Sequence, residues 1–175
     1  VDSWTPPERP GPEKLIGRYV ELELLSAQKH AAKLFQSLQG YDDVWDYMPS
    51  GPFTSSTQFY RWVDVMTKAD DPLFYAIRNL TSRQWEGLAS FLRVQPDAGS
   101  IEVGYIAFAP SLQQTTAATE AMFLMMHWAF EAGYRRYEWK CNALNTPSRR
   151  AAQRFGFTYE GIFRQATVVK GRNRD

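Results

Sequence analysis

Residues 105–157 constrain the chain most. The stretch YIAFAPSLQQTTAATEAMFLMMHWAF runs from a strand, through Pro110 and a short polar loop, into a helix that opens on Thr and Ala residues. Small side chains there let another molecule approach the first backbone amides, which carry the positive end of the helix dipole. Thirty residues on, Asn145 and Ser148 stand at the mouth of a second helix that closes before Gly156. Asn at a helix entrance and Gly just past its end are the usual boundary residues. Two helix N-termini therefore bracket one strand, a layout that suits a long phosphate-bearing ligand.

At 175 residues with 44% hydrophobic content, the chain has the length and the apolar side chains for one domain with a full core. No apolar run reaches the roughly 18 residues needed to span a bilayer, and the first residues show no signal-peptide pattern. No membrane association is expected. Cys141 is the only cysteine, which rules out an intrachain disulfide and points to a cytoplasmic setting. It lies in an apolar segment, where a buried inert thiol is expected.

Charge divides the chain. Residues 1–132 hold 10 Lys/Arg against 16 Asp/Glu, whereas residues 133–175 hold 10 against 3, and the two parts nearly cancel to +1. Basic pairs such as Arg149–Arg150 fit a solvated face, a nucleic-acid patch or a collar for a phosphorylated ligand. The low overall charge and pI argue against nucleic acid.

Four prolines and a glycine in WTPPERPGPEK make residues 1–14 an arm, leaving 15–175 as a single domain. Alternation over Arg18–Leu25 predicts a half-buried strand, and Ser26 caps a helix to about Leu38. A second helix runs from Thr54 toward Ala69. Strands are expected over Leu73–Asn79, Trp85–Val94 and Ser100–Phe108, forming an antiparallel meander. Ala117–Ala132 is an amphipathic helix whose Met122, Met125 and Met126 read as core. Arg136–Asn142 is a fifth strand, Pro147–Phe155 a helix with Pro at its favoured start, and Phe157–Lys170 a long sixth strand. Lys170–Gly171–Arg172–Asn173 has turn chemistry, so a further returning strand is expected after it, on a natural chain that continues past Asp175.

This order of elements, with its phosphate-ready loop, resembles the GNAT superfamily of acyl-coenzyme A transferases, and within it the Rim-type N-acetyltransferases. The superfamily's loop reads Gln/Arg-x-x-Gly-x-Gly/Ala. Gln113 and Ala118 match its first and last positions, and Thr116 replaces the central glycine. Ala118–Thr119–Glu120–Ala121, Asn145, Ser148 and Gly156–Phe157 match the Rim-type pattern that follows.

The resemblance implies a mixed α/β GNAT fold, with a mostly antiparallel twisted sheet of about six to seven strands flanked by about four helices. It implies acetyl-CoA as co-substrate, held by Phe108, Gln113, Gln114, Thr115, Thr116, Ala117, Ala118, Asn145 and Ser148, with no metal. The acceptor would be a small-molecule amine or a protein N-terminus. Glu102 matches a carboxylate that accepts the amine proton, and Ser148 a serine near the CoA sulfur. The helix-connecting loop Tyr41–Phe53 would wall the acceptor site, with Asp43, Trp45 and Tyr47 offering ion pairing and cation–π contact to a cationic amine. A homodimer is compatible with this reading. The rival reading is a catalytically silent GNAT-like domain that binds CoA or another nucleotide as a sensor or scaffold, which Thr116 and the absence from Ser148–Phe155 of the tyrosine that many relatives use as acid keep open.

His30 and His127 stand in separate helices without metal-ligand spacing, and no Gly-x-Ser-x-Gly elbow is present. Direct transfer is therefore favoured over an acyl-enzyme.

Overall fold

The computed structural model describes residues 2–175. Six strands form one sheet in sequential order: β1 (Lys14–Ile16), β2 (Val20–Leu24), β3 (Leu73–Asn79), β4 (Trp85–Gln95), β5 (Ser100–Phe108) and β6 (Arg136–Trp139). Every neighbouring pair is antiparallel except β5–β6, which is parallel because a helix, α3 (Thr116–Glu131), crosses over between them. The sheet is thus mixed and mostly antiparallel, as expected.

Each face of the sheet has its own core. On one face Val20, Leu22, Tyr75, Ile77, Phe91, Ile101 and Val103 pack against Ala121, Met122, Met125 and Ala129 of α3. Met122 and Met125 are core, as their helical spacing predicts, while Met126 is half-buried and outside it. On the other face α1 (Ala32–Leu38) and α2 (Ser56–Met66) cover Phe74, Ala76, Leu88 and Ala107. The first helix opens with a π-helical turn, Ala27–Ala31, and Ser26 caps it by accepting from the Lys29 amide at 3.4 Å.

Glu120 of α3 ties the β1–β2 turn to the domain. Its carboxylate accepts from the amides of Arg18, Tyr19 and Val20 at 2.9, 2.6 and 3.0 Å. Gly17 makes the approach possible, since a Cβ there would lie 2.4 Å from the carboxylate. The N-terminal arm is also tied down: the Tyr75 and Tyr134 hydroxyls donate to the carbonyls of Pro12 and Glu8, each at 2.9 Å.

Three expectations need correction. Phe157–Lys170 is not one strand. Only Thr167–Val169 (β7) forms a ladder, pairing with Arg172–Arg174 (β8) in a two-stranded hairpin. Gly161 and Gln165 take positive φ angles of 146° and 51°, which interrupt an extended run. The hairpin turns at Lys170 and Gly171, with φ of 50° and 72°, so the returning strand, expected only past Asp175, already begins at Arg172. Secondly, β6 ends at Trp139, short of Asn142. Cys141 therefore lies just past the strand and is half-buried rather than sealed in the core.

Thirdly, Trp45 is not an exposed aromatic of the acceptor wall. It is 3% exposed and packs edge-on against Phe53, Phe59 and Trp62, with centroids 5.0 to 6.2 Å apart. Burying an indole in that cluster is worth more than leaving it in a solvated loop.

Candidate active site

A bulge sets the geometry of the site. In the β4–β5 ladder Ser90 pairs with Gly104 and Leu88 with Ala107, so Ala89 alone faces both Tyr105 and Ile106. Tyr105 absorbs the extra residue with a φ of 49°. The partnership of β5 with β6 ends at the same level, at Val103 opposite Trp139. Beyond it β5 runs on to Phe108 while the other strand turns away into Lys140–Asn142. The result is a wedge between two parallel strands, open at their C-terminal ends. Ligands of α/β sheets bind in such a place.

The loop after β5 and the start of α3 (Thr116–Glu131) lie beside the wedge. Thr115 caps α3, accepting from the Ala118 amide at 3.1 Å, and its hydroxyl donates to the Leu112 carbonyl at 2.6 Å. The Thr115 amide also bonds to the Leu112 carbonyl, at 3.3 Å. Of the five amides in Gln114–Ala118, two are therefore taken internally. The amides of Gln114, Thr116 and Ala117 have no acceptor among the described residues. They are the donors available to an anion.

The strained position of the loop is Gln114, with a φ of 59°. Thr116 is the first residue of the helix, where an ordinary residue fits without strain. The missing central glycine therefore costs the backbone nothing. Ala117 and Ala118 are buried, and the Gln113 side chain donates to the Phe108 carbonyl at 2.9 Å, which holds the loop against the strand.

Arg154 was not singled out by sequence reasoning. It sits at the end of α4 (Thr146–Arg154), and its guanidinium donates to Thr119 Oγ1 at 3.1 Å, beside the first turn of α3. Arg149 points instead to the Ala143 carbonyl. Of the basic residues in this helix, Arg154 thus adds positive charge beside the free amides at the start of α3. It lies 35 residues along the chain from Thr119, so no local pattern signals the contact.

At the mouth of α4, Asn145 is the cap: its Oδ1 accepts from the Ser148 amide at 3.2 Å, leaving the side-chain NH₂ free. The Ser148 hydroxyl accepts from Trp139 Nε1 at 3.0 Å and so keeps its own proton to donate. Both side chains stand at the β6 side of the wedge.

Glu102 is 3% exposed on the sheet face that carries α1 and α2. Its two oxygens accept from Arg93 Nη1 at 2.7 Å and Lys140 Nζ at 2.8 Å. Lys140 also bonds to Glu138, and Arg136 joins Glu138 to Glu160, so the carboxylate belongs to a chain of alternating charges. Burial pushes the Glu138 carboxyl up, but hydrogen bonds from Lys140 and Arg136 outweigh it and leave it below its usual range. Lys140 is likewise pushed down by burial and raised overall by Glu102 and Glu138. An amine proton would reach Glu102 only past these cations or through water.

The loop between α1 and α2 brings a mixed wall. Asp43 is exposed in a short 3₁₀ turn, Asp42–Trp45. Tyr47 is 39% exposed and its hydroxyl donates to the Leu144 carbonyl at 3.3 Å, joining the wall to the loop after β6. Of the three residues expected to face an acceptor, Tyr47 and Asp43 are accessible and Trp45 is not.

A surface cavity of about 310 Å³ is lined by Lys14, Ile16, Leu124, His127 and Trp128. It lies along the C-terminal half of α3, far along the helix from the free amides. No helix among the described residues is long and apolar enough to cross a membrane.

Comparison with known proteins gives the family. Residues 20–158 match the acetyltransferase (GNAT) domain. The structure of a GCN5-related N-acetyltransferase from Brucella melitensis superposes with a TM-score of 0.96 at 45% identity, covering 99% of this chain and 80% of that one. The ribosomal-protein-serine acetyltransferase of Escherichia coli is 32% identical over 83 residues, 47% of this chain and 46% of that protein, so the match spans about half its length. A Salmonella typhimurium acetyltransferase that modifies the N-terminal serine of ribosomal protein L7/L12 shares the fold, with a TM-score of 0.77 at 21% identity.

Proposed function

Because the chain belongs to the GNAT acetyltransferase domain family, we propose that it transfers the acetyl group of acetyl-CoA to a primary amine by direct attack. The observation that carries this reading is the wedge opened by the Tyr105 bulge, with three free amides and Arg154 at its side. No observation favours a silent sensor or scaffold: Thr116, one of the two features that kept that reading open, occupies an unstrained helical position, and Ser148 offers a proton donor where the tyrosine is missing.

Acetyl-CoA fits the residues present. The pyrophosphate would take hydrogen bonds from the amides of Gln114, Thr116 and Ala117 and the charge of Arg154, each charged bond contributing roughly 1.5 to 3 kcal/mol. The free Asn145 amide would hold the pantetheine arm where it passes into the wedge. Bound there, acetyl-CoA supplies an activated acyl group as a thioester.

The chain's own residues then serve three needs. Backbone of the β5 segment left by β6 lines the place where negative charge develops on the acyl oxygen. Ser148, with its proton free, donates toward the departing sulfur. Glu102 accepts the proton of the amine, through water or by exchange with Lys140. The acceptor approaches from the α1–α2 face, past Tyr47 and Asp43. Similarity to a ribosomal-protein-serine acetyltransferase supports a protein amine as acceptor beside small-molecule amines.

Incubating the protein with acetyl-CoA and a panel of amines and N-terminal peptides, with free thiol as readout, tests the proposal. Release of thiol with an amine and not with its N-blocked form is expected. Acetyl-CoA binding with no release across the panel would leave only the silent reading.

A further inference from the structure

The β7–β8 hairpin reaches across the acceptor wall. Its tip residue Lys170 donates from Nζ to the Trp45 carbonyl at 2.7 Å, with Asp46 beside it. Its far end is pinned where the Ala143 amide donates to the Asp175 carbonyl at 3.0 Å. Tyr47 meets the same loop at Leu144. Hairpin, helix-connecting loop and β6–α4 loop therefore converge on the side from which an acceptor enters, and the group they hold is a primary amine.

Lys170 differs from the other paired lysines. Lys14, Lys29, Lys68 and Lys140 each bond to a carboxylate, which holds the ammonium form. Lys170 bonds to a neutral carbonyl and remains exposed. A lysine amine is nucleophilic only without its proton, and a site short of countercharge favours that form. Desolvation lowers its pKa, with Asp46 partly opposing.

We propose that Lys170 is an internal acetyl acceptor, acetylated in cis by acetyl-CoA bound at the start of α3; the proposal rests on the acetyltransferase function argued above. The neutral Nζ attacks the thioester carbonyl, an N–C bond forms as the C–S bond breaks, the nitrogen loses one proton to solvent, and the CoA thiolate takes a proton. The amide product has no charge. It loses its attraction to Asp46, and the hairpin tip is released from the wall.

The test is to incubate the 175-residue chain with acetyl-CoA and no added amine, following intact mass and mapping acetyl groups by peptide mass spectrometry. One acetyl group at Lys170 is expected, appearing with first-order kinetics whose rate constant does not change with protein concentration. Lys170→Arg should take up no acetyl group. Modification spread evenly over the lysines, a rate constant proportional to protein concentration, or no modification of Lys170 would overturn the proposal. Acetyl-CoA binding by calorimetry and turnover of an added amine are measured on the same sample. If both are present while Lys170 stays unmodified, the internal acceptor falls and the acetyltransferase reading stands; if both are absent, the two fall together.

Discussion

Trp139 Nε1 donates to Ser148 Oγ at 3.0 Å, so the last residue of β6 aims the hydroxyl at the start of α4. A hydrogen bond donated by the indole fixes the oxygen and leaves the serine proton directed elsewhere. Ser148→Ala should lower kcat about tenfold, less than the roughly 10²–10⁴ typical of an acid–base group, because a water can replace a hydroxyl donor. Acetyl-CoA affinity should stay near that of the unmodified protein. Steady-state kinetics with calorimetry checks both, and an unchanged kcat would remove Ser148 from the proton path.

Ala117 offers its amide and little else to a bound phosphate. Ala117→Pro deletes that donor at a position where the first helical turn tolerates proline. Acetyl-CoA binding should weaken about tenfold or more, the loss of one charged hydrogen bond. Circular dichroism confirms the fold, and a folded variant with unaltered affinity would show that the phosphates bind elsewhere.

If Glu102 takes the amine proton, Glu102→Gln should lower turnover by roughly 10² to 10⁴ at neutral pH. The deficit should narrow at high pH, where more acceptor is already unprotonated. A purely structural role in the Arg93–Glu102–Lys140 cluster would instead give a loss independent of pH. The pH–rate profile of the two proteins separates these outcomes, with a thermal melt to confirm that the variant is folded.

His30 provides a stability test away from the site. It is fully buried against Trp85, and its Nδ1 accepts from the Ser26 amide at 2.9 Å. Desolvation, helped by Lys29, lowers its pKa from 6.5 to about 4. Above pH 6.5 the ring is neutral in both states and contributes no pH dependence. Between about 6.5 and 4 the unfolded chain binds a proton that the native protein refuses, so stability falls as pH falls, by roughly 3 kcal/mol in total. Denaturant melts at about pH 7 and pH 5, on either side of the unfolded-state pKa, should show a larger drop for the natural protein than for His30→Gln. Equal drops would mean that His30 does not carry the effect.

Local pattern made much of the architecture legible. Ser100–Phe108 alternates and is bounded by a Gly turn and a proline, and it folds as the strand that pattern predicts. Ser26 and Asn145 cap the helices that follow them, since a cap acts on amides two or three residues away. The small residues Ala117 and Ala118 at the start of α3 were legible for the same reason: the signal and its physical cause lie within one turn of helix.

Other features depended on contacts between distant residues. The bulge at Tyr105 exists because β4 and β5 pair in a particular register, and only the paired ladder shows which residue takes the positive φ. Trp45 reads as an exposed aromatic until Phe53, Phe59 and Trp62 close around it. Glu102 reads as a free carboxylate until Arg93 arrives from β4 and Lys140 from just past the end of β6. Sequence alone determined most of the elements and their order, because propensity, capping and periodicity are short-range. Tertiary structure alone decided which charges are paired, which aromatics are buried and where the wedge opens, because burial and ion pairing are properties of residues brought together from far apart in the chain.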